Sequence, residues 1–146
     1  MMRMVGLRSV LVLAAVIFHT GVASGGEMSE KEAIKATIFN YFDGFRTKDR
    51  ARLEKAFAVD AGHMKGYLKG SDGTYQLSVR PMDEVIDDWV SRDTDPAMRG
   101  ELLDVHIYSE RAAMATFDFN GIFIDAFQLA KIDGEWRIIN KFYIDK

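Results

Sequence analysis

One dipeptide, Asp133-Gly134, constrains the folding of this chain more than any other feature. A two-residue hairpin turn of the favoured kind needs positive φ at both positions, and Asp-Gly adopts that geometry at little cost. It lies between two β-prone segments, Phe123 to Ile132 and Glu135 to Tyr143, and so predicts a tight antiparallel hairpin. Upstream, Leu102 to Tyr108 and Ala112 to Phe119 are separated by a turn at Glu110-Arg111 and followed by a break at Asn120-Gly121, which extends the hairpin to a four-strand meander. A sheet of that size has to bury one face against something.

The preceding half of the chain supplies the cover. Ser29 and Glu32 have the spacing of a capping box, and Ile34, Ile38, Tyr41, Phe42 and Phe45 then recur at intervals of three and four, predicting a helix to about Thr47 with one apolar stripe. Asp49 is placed to cap a short second helix carrying Leu53, Ala56 and Phe57. His63 to Leu68 and Tyr75 to Val79, split by Gly70-Ser71-Asp72-Gly73, read as a hairpin. Pro81 suits the first turn of a third helix, with Asp83 and Glu84 at its positive end and Met82, Val85, Ile86, Trp89 and Val90 on its buried face. Helices first and a long meander afterwards is α+β order. A curved sheet with helices on one side leaves a hollow, filled either by side chains or by a ligand.

The first 24 residues have a different character. Arg3 and Arg8 are the only charges, Val10 to Phe18 is an unbroken apolar run, and Gly21 to Gly25 supplies small residues for cleavage, the pattern of a secretion signal. Nine apolar residues fall short of the roughly 20 that a spanning helix needs. The expected division is therefore a signal peptide over 1–24, cut after Ala23 or Ser24, and one domain over 25–146, placed in the periplasm or outside the cell.

Without the two arginines of that segment, 17 basic and 22 acidic residues remain, a balance of −5. That gives no electrostatic footprint for nucleic acid, and none for an anionic membrane surface once the signal is removed. With no cysteine in the chain, disulfides, thiol catalysis, lipid attachment at cysteine and cysteine-ligated zinc are all excluded. The remaining histidines, His63 and His106, with scattered carboxylates, lack the spacing of a metal site, and no cofactor is expected.

The run Tyr41-Phe42-Asp43-Gly44-Phe45-Arg46-Thr47-Lys48-Asp49, followed by Leu53, Phe57 and Asp60-Ala61, resembles the helix, corner and F-x-x-D-A segment of nuclear transport factor 2-like and SnoaL-like proteins. The stretch from Phe123 to Lys141 is similar to the last hairpin of the putative lumazine-binding family within that superfamily. The resemblance runs from about Ala33 to Tyr143. It implies a cone-shaped α+β fold with a curved mixed or antiparallel sheet and three helices in the N-terminal half, and a homodimer formed through the exposed sheet face. Proteins of this superfamily include isomerases, dehydratases, binding modules and association domains, so the fold alone does not decide the activity.

Five residues are the candidate ligand contacts: Tyr41, His63, Trp89, His106 and Asp125. Ketosteroid isomerase-like members pair a first-helix tyrosine with a carboxylate base on the first strand. Tyr41 stands at the tyrosine position, but the base position falls near Met64-Lys65-Gly66, where no carboxylate occurs. His63 and His106 are alternative bases, although His106 shares with Asp104 and Tyr108 a polar strand face that reads as the solvated side of the sheet. Asp125, between Phe123 and Phe127, lines the hollow, points at a dimer interface, or pairs with Lys141 or Arg137 on the next strand. Asn140 and Lys141 form a further polar pair. Trp89 with Phe42, Phe45 and Tyr67 is an aromatic wall for a flat ring or simply core. The expectation is an exported small-molecule-binding or accessory protein for a small aromatic or polycyclic ligand. An acid-base enzyme of the ketosteroid isomerase or dehydratase kind and a non-catalytic association domain stand as alternatives.

Overall fold

The computed structural model describes residues 28–146, and the candidate signal segment lies outside the described residues. Helix α1 (Glu30–Thr47) starts on the expected capping box: Ser29 Oγ accepts from the Glu32 amide at 3.3 Å and the Glu32 carboxylate accepts from the Ser29 amide at 3.2 Å. Ile34, Ile38, Tyr41 and Phe42 bury its apolar stripe. The helix ends where Lys48 turns left-handed, which lets the Asp49 amide donate back to the Gly44 carbonyl at 2.8 Å. The Asp49 carboxylate then accepts from the Arg52 amide and opens α2 (Arg50–Ala56), giving the tight corner that the sequence predicts.

Strands β1 (His63–Lys69) and β2 (Tyr75–Pro81) form the first hairpin and lead into α3 (Met82–Ser91). Pro81 sits one residue further out than expected. Its extended backbone completes β2 and caps α3, so the helix begins at Met82. The meander follows as β3 (Gly100–Ser109), β4 (Ala112–Phe119), β5 (Phe123–Ile132) and β6 (Glu135–Asp145). Asp133 and Gly134 take φ of 51° and 81°, the paired positive values that the dipeptide predicts.

The six strands form one open sheet in the order β2-β1-β6-β5-β4-β3, with β1 parallel to β6 and every other neighbour antiparallel. The expected α+β cone, with its mixed sheet and three helices, is the architecture found. Register shifts after Leu102 and Ile107 on β3, and between Gln128 and Leu129 on β5 opposite β6, bend the sheet around the helices. Phe117, Phe127, Leu129, Trp136 and Ile138 on the concave face meet Ile34, Ile38, Leu53, Phe57, Val85 and Ile86 from the helices. Packing is tight at the start of β3, where a Cβ on Gly100 would lie 2.2 Å from the Phe117 ring and 2.9 Å from Phe42. Among the described residues no element covers the convex face, which carries Tyr67, Leu77, Val79, Met114 and Ile144 in the open.

Candidate functional site

The helices do not fill the cone to its wide end. A cavity of about 300 Å³ remains there, reached by side chains from seven elements. Its aromatic wall is Tyr41 and Phe45 from α1, Trp89 from α3 and Phe119 from β4. The Tyr41 and Trp89 rings are 5.5 Å apart, and Phe45 meets both Trp89 and Phe119 edge-on at 5.5 and 5.4 Å. These offset and edge-to-face contacts hold the rings in fixed orientations around the space.

The buried polar part of the wall is one hydrogen-bonded trio. Tyr41 Oη donates to Asp125 Oδ2 at 2.9 Å, and Lys141 Nζ donates to Asp125 Oδ1 at 2.5 Å. All three residues are buried, Asp125 completely. The Lys141 ammonium also lies 4.4 Å from the Tyr143 ring centroid and 5.5 Å from that of Tyr41. Two aromatic faces thus replace part of the hydration a buried cation gives up. Tyr143 reaches this position because Gly66 is beside it on β1: a Cβ at Gly66 would lie 2.6 Å from Tyr143 Cζ.

Burial, reinforced by the Asp125 charge, raises the Tyr41 phenol well above its ordinary value of 10.0. Tyr41 is therefore a donor and not a phenolate across the physiological range. Burial lowers the Lys141 ammonium from 10.5, against the opposing pull of Asp125. At the α3 side of the cavity Arg80 and Arg92 complete the wall, both bonded to Asp88: Arg80 Nη1 to Oδ2 at 3.0 Å, Arg92 Nε to Oδ1 at 3.0 Å, and Arg92 Nη2 to Oδ2.

Of the five residues singled out from sequence, the fold brings Tyr41, Trp89 and Asp125 to this one cavity. His63 and His106 are exposed and do not line it. His63 alternates with the buried Met64 and so faces the convex side. His106 stands opposite Met114 on the same convex side, its ring 4.5 Å from Tyr108. Of the residues proposed to join Trp89, Phe45 does so, whereas Phe42 is core and Tyr67 is on the convex face, stacked on Tyr75 at 5.3 Å. Two of the readings of Asp125 turn out to be one arrangement, a buried cavity-lining carboxylate that is also the partner of Lys141.

Sequence reasoning did not name Arg80, Arg92, Phe119 or Tyr143 as site residues. Strand alternation from Met64 across to its partner Arg80 is the signal that reaches Arg80. Among the described residues no group of three or more His, Asp or Glu side chains could hold a metal ion. Other hollows are found outside the cone. The one between α1 and the β5–β6 hairpin, about 340 Å³, is bordered by Glu30, whose carboxylate is already taken by Lys131 at 2.5 Å and Trp136 Nε1 at 2.6 Å.

A family model described as putative lumazine-binding matches residues 29–144. The fold is similar to that of an NTF2-like protein of unknown function from Shewanella baltica OS155, at 24% identity over 80% of this chain and 94% of that one, with a TM-score of 0.67. It is similar to an NTF2-like protein of unknown function from Methylobacillus flagellatus KT, at 20% identity over 84% and 96% of the two chains, TM-score 0.67. A ketosteroid isomerase-like protein from Erwinia carotovora atroseptica SCRI1043 also shares the fold, at 17% identity over 77% and 93%, TM-score 0.53. No curated protein matches the chain by sequence.

Proposed function

The chain belongs to the putative lumazine-binding family of nuclear transport factor 2-like proteins, and from that premise we propose that it is an exported small-molecule-binding protein whose cone holds a flat aromatic or polycyclic ligand. The observation that carries this reading is the Tyr41–Asp125–Lys141 trio, a buried, hydrogen-bonded polar group set into the aromatic wall of a cavity of about 300 Å³. Ligand sites combine such apolar walls with a few fixed polar groups, at volumes starting near ~300 Å³. Buried charge is costly to desolvate even when it is partnered, so a charged trio on a cavity wall favours a binding role over a packing role.

The experiment is a thermal-shift and calorimetric screen with riboflavin, lumazine, other pteridines and steroids, on the wild type and on Trp89→Ala. A ligand that stabilises the wild type and loses its effect in the variant supports the reading. No stabilisation by any of them at high concentration would leave an association domain as the better account.

An acid-base enzyme is the second reading, favoured by one distance: Asp125 Oδ2 lies 2.9 Å from Tyr41 Oη, within reach of a proton on anything bound beside the phenol. Binding stands ahead of it because both Asp125 oxygens are already engaged. Export is supported by the pattern of the first 24 residues, and a homodimer by the apolar row that the sheet register builds on the convex face.

A further inference from the structure

The cavity wall has an imbalance of charge that a generic apolar site does not need. Three cations line it, Arg80, Arg92 and Lys141, against one carboxylate, Asp125. Lys141 and Asp125 neutralise each other at 2.5 Å. Arg80 and Arg92, by contrast, share a single carboxylate, that of Asp88. The other contact of this pair is the neutral Glu84 carbonyl, 3.4 Å from Arg80 Nη2. One unit of positive charge is therefore left on the α3 side of the cavity, in a chain whose net charge is −3.

The geometry of the pair is that of an anion clamp with one seat taken. Arg92, whose side chain is 55% exposed, commits Nε and Nη2 to Asp88 and leaves Nη1 open to solvent or to an incoming anion. Asp88 bonds both guanidiniums and so fixes them side by side, which lowers the ordering cost of binding a second anion. Trp89, one residue along α3 from Asp88, puts an aromatic face into the same cavity.

We infer that the ligand is a flat, one- or two-ring molecule with a single carboxylate, its rings against the aromatic wall and its carboxylate on Arg80 and Arg92. This rests on the binding reading and adds the ligand's charge to it.

The test uses a matched pair of probes, 2-naphthoate and 2-naphthamide, titrated calorimetrically into the wild type, Arg92→Gln and Asp88→Asn. The rings are the same and only the charge differs. The naphthoate is expected to bind about tenfold more tightly than the amide, the scale of one charge-assisted hydrogen bond. Arg92→Gln is expected to erase most of that preference, weakening naphthoate binding by more than it weakens amide binding. Asp88→Asn is expected to act in the opposite sense, tightening naphthoate binding several-fold by removing the resident anion. A structural role for the cluster predicts loss in both variants, so opposite signs separate the two accounts; melting temperatures of each variant establish that it is folded. Equal binding of naphthoate and naphthamide, or weakening of both by Asp88→Asn, overturns the inference and leaves the binding reading intact. Failure of both probes to bind at millimolar concentration overturns the inference, and the binding reading falls with it only if the flavins, pteridines and steroids also fail to stabilise the protein.

Discussion

Asp125 and Lys141 are joined at 2.5 Å although they are not cross-strand partners: the register sets Lys141 opposite Phe127 and Asp125 opposite Tyr143. The pair is a diagonal one, closed by the length of the lysine side chain. With Tyr41 donating from α1, it ties the first helix to the last two strands inside the cavity wall.

Removing one member of this trio should cost more than removing two. Asp125→Ala leaves an unpaired ammonium in a buried site and is expected to destabilise the protein by about 3–5 kcal/mol. Combining Asp125→Ala with Lys141→Met removes both charges and should recover a large part of that loss. Urea unfolding of the single and double variants measures the coupling; strict additivity would mean that the two side chains do not sense each other.

Tyr41 sets an alkaline limit. Its pKa is raised, so above about pH 10 the unfolded chain gives up a proton that the folded protein keeps, and stability falls as pH rises further. Lys141, whose pKa is lowered, acts with the opposite sign: its burden on the fold is relieved as pH approaches 10.5. Above that value only the Tyr41 effect remains. Tyr41→Phe should lose about 1–3 kcal/mol near neutral pH, by orphaning Asp125 Oδ2, yet show a flatter alkaline limb. Absorbance of phenolate followed through alkaline unfolding gives the readout, with one late-ionising tyrosine present in the wild type and missing in the variant.

Gly66 is expected to tolerate no side chain without a change at the site. In Gly66→Ala the new methyl would overlap the Tyr143 ring, listing the ring away from the Lys141 ammonium that it faces at 4.4 Å. Ligand affinity should fall by more than stability does, and adding Tyr143→Leu should relieve the strain. Affinity and unfolding midpoint measured on the same samples check this.

The convex face should bind a second copy. The register aligns Leu77 with Tyr67, Tyr67 with Ile144 and Ile144 with Ile124, a continuous apolar row across four strands. Ile144→Lys is expected to halve the mass seen by light scattering at micromolar concentration without altering the circular dichroism spectrum. A monomeric wild type would contradict the proposal.

Export should leave a mature chain that begins after Ala23 or Ser24. Intact-mass measurement on protein recovered from outside the cytoplasm reads the cut directly, and an uncut chain there would remove the signal-peptide reading.

Much of the fold was legible because its determinants are local. The Ser29/Glu32 box, the stripe from Ile34 to Phe42, the Asp49 cap and the Asp133-Gly134 turn each involve residues a few positions apart, and each forms as its spacing predicts. Parity also exposed Asp125, since Phe123 and Phe127 flank it on one strand face.

The site was decided elsewhere. Tyr41 and Asp125 meet across 84 positions, a juxtaposition that no periodicity encodes. Lys141 is the sharper case. Strict alternation from Trp136 and Ile138 would send Asn140 inward and Lys141 out, but the bulge at Ile139 inserts one unpaired residue and exchanges the faces, so Lys141 and Tyr143 enter the cavity. Asn140 is left on the convex side, level with His63 and Gln128. Sequence alone determined which segments are helices and strands and where they turn, because those preferences act over one or two turns of backbone. Which charges are buried together was settled only by the curled sheet, because a one-residue slip that costs little locally reverses every side chain beyond it.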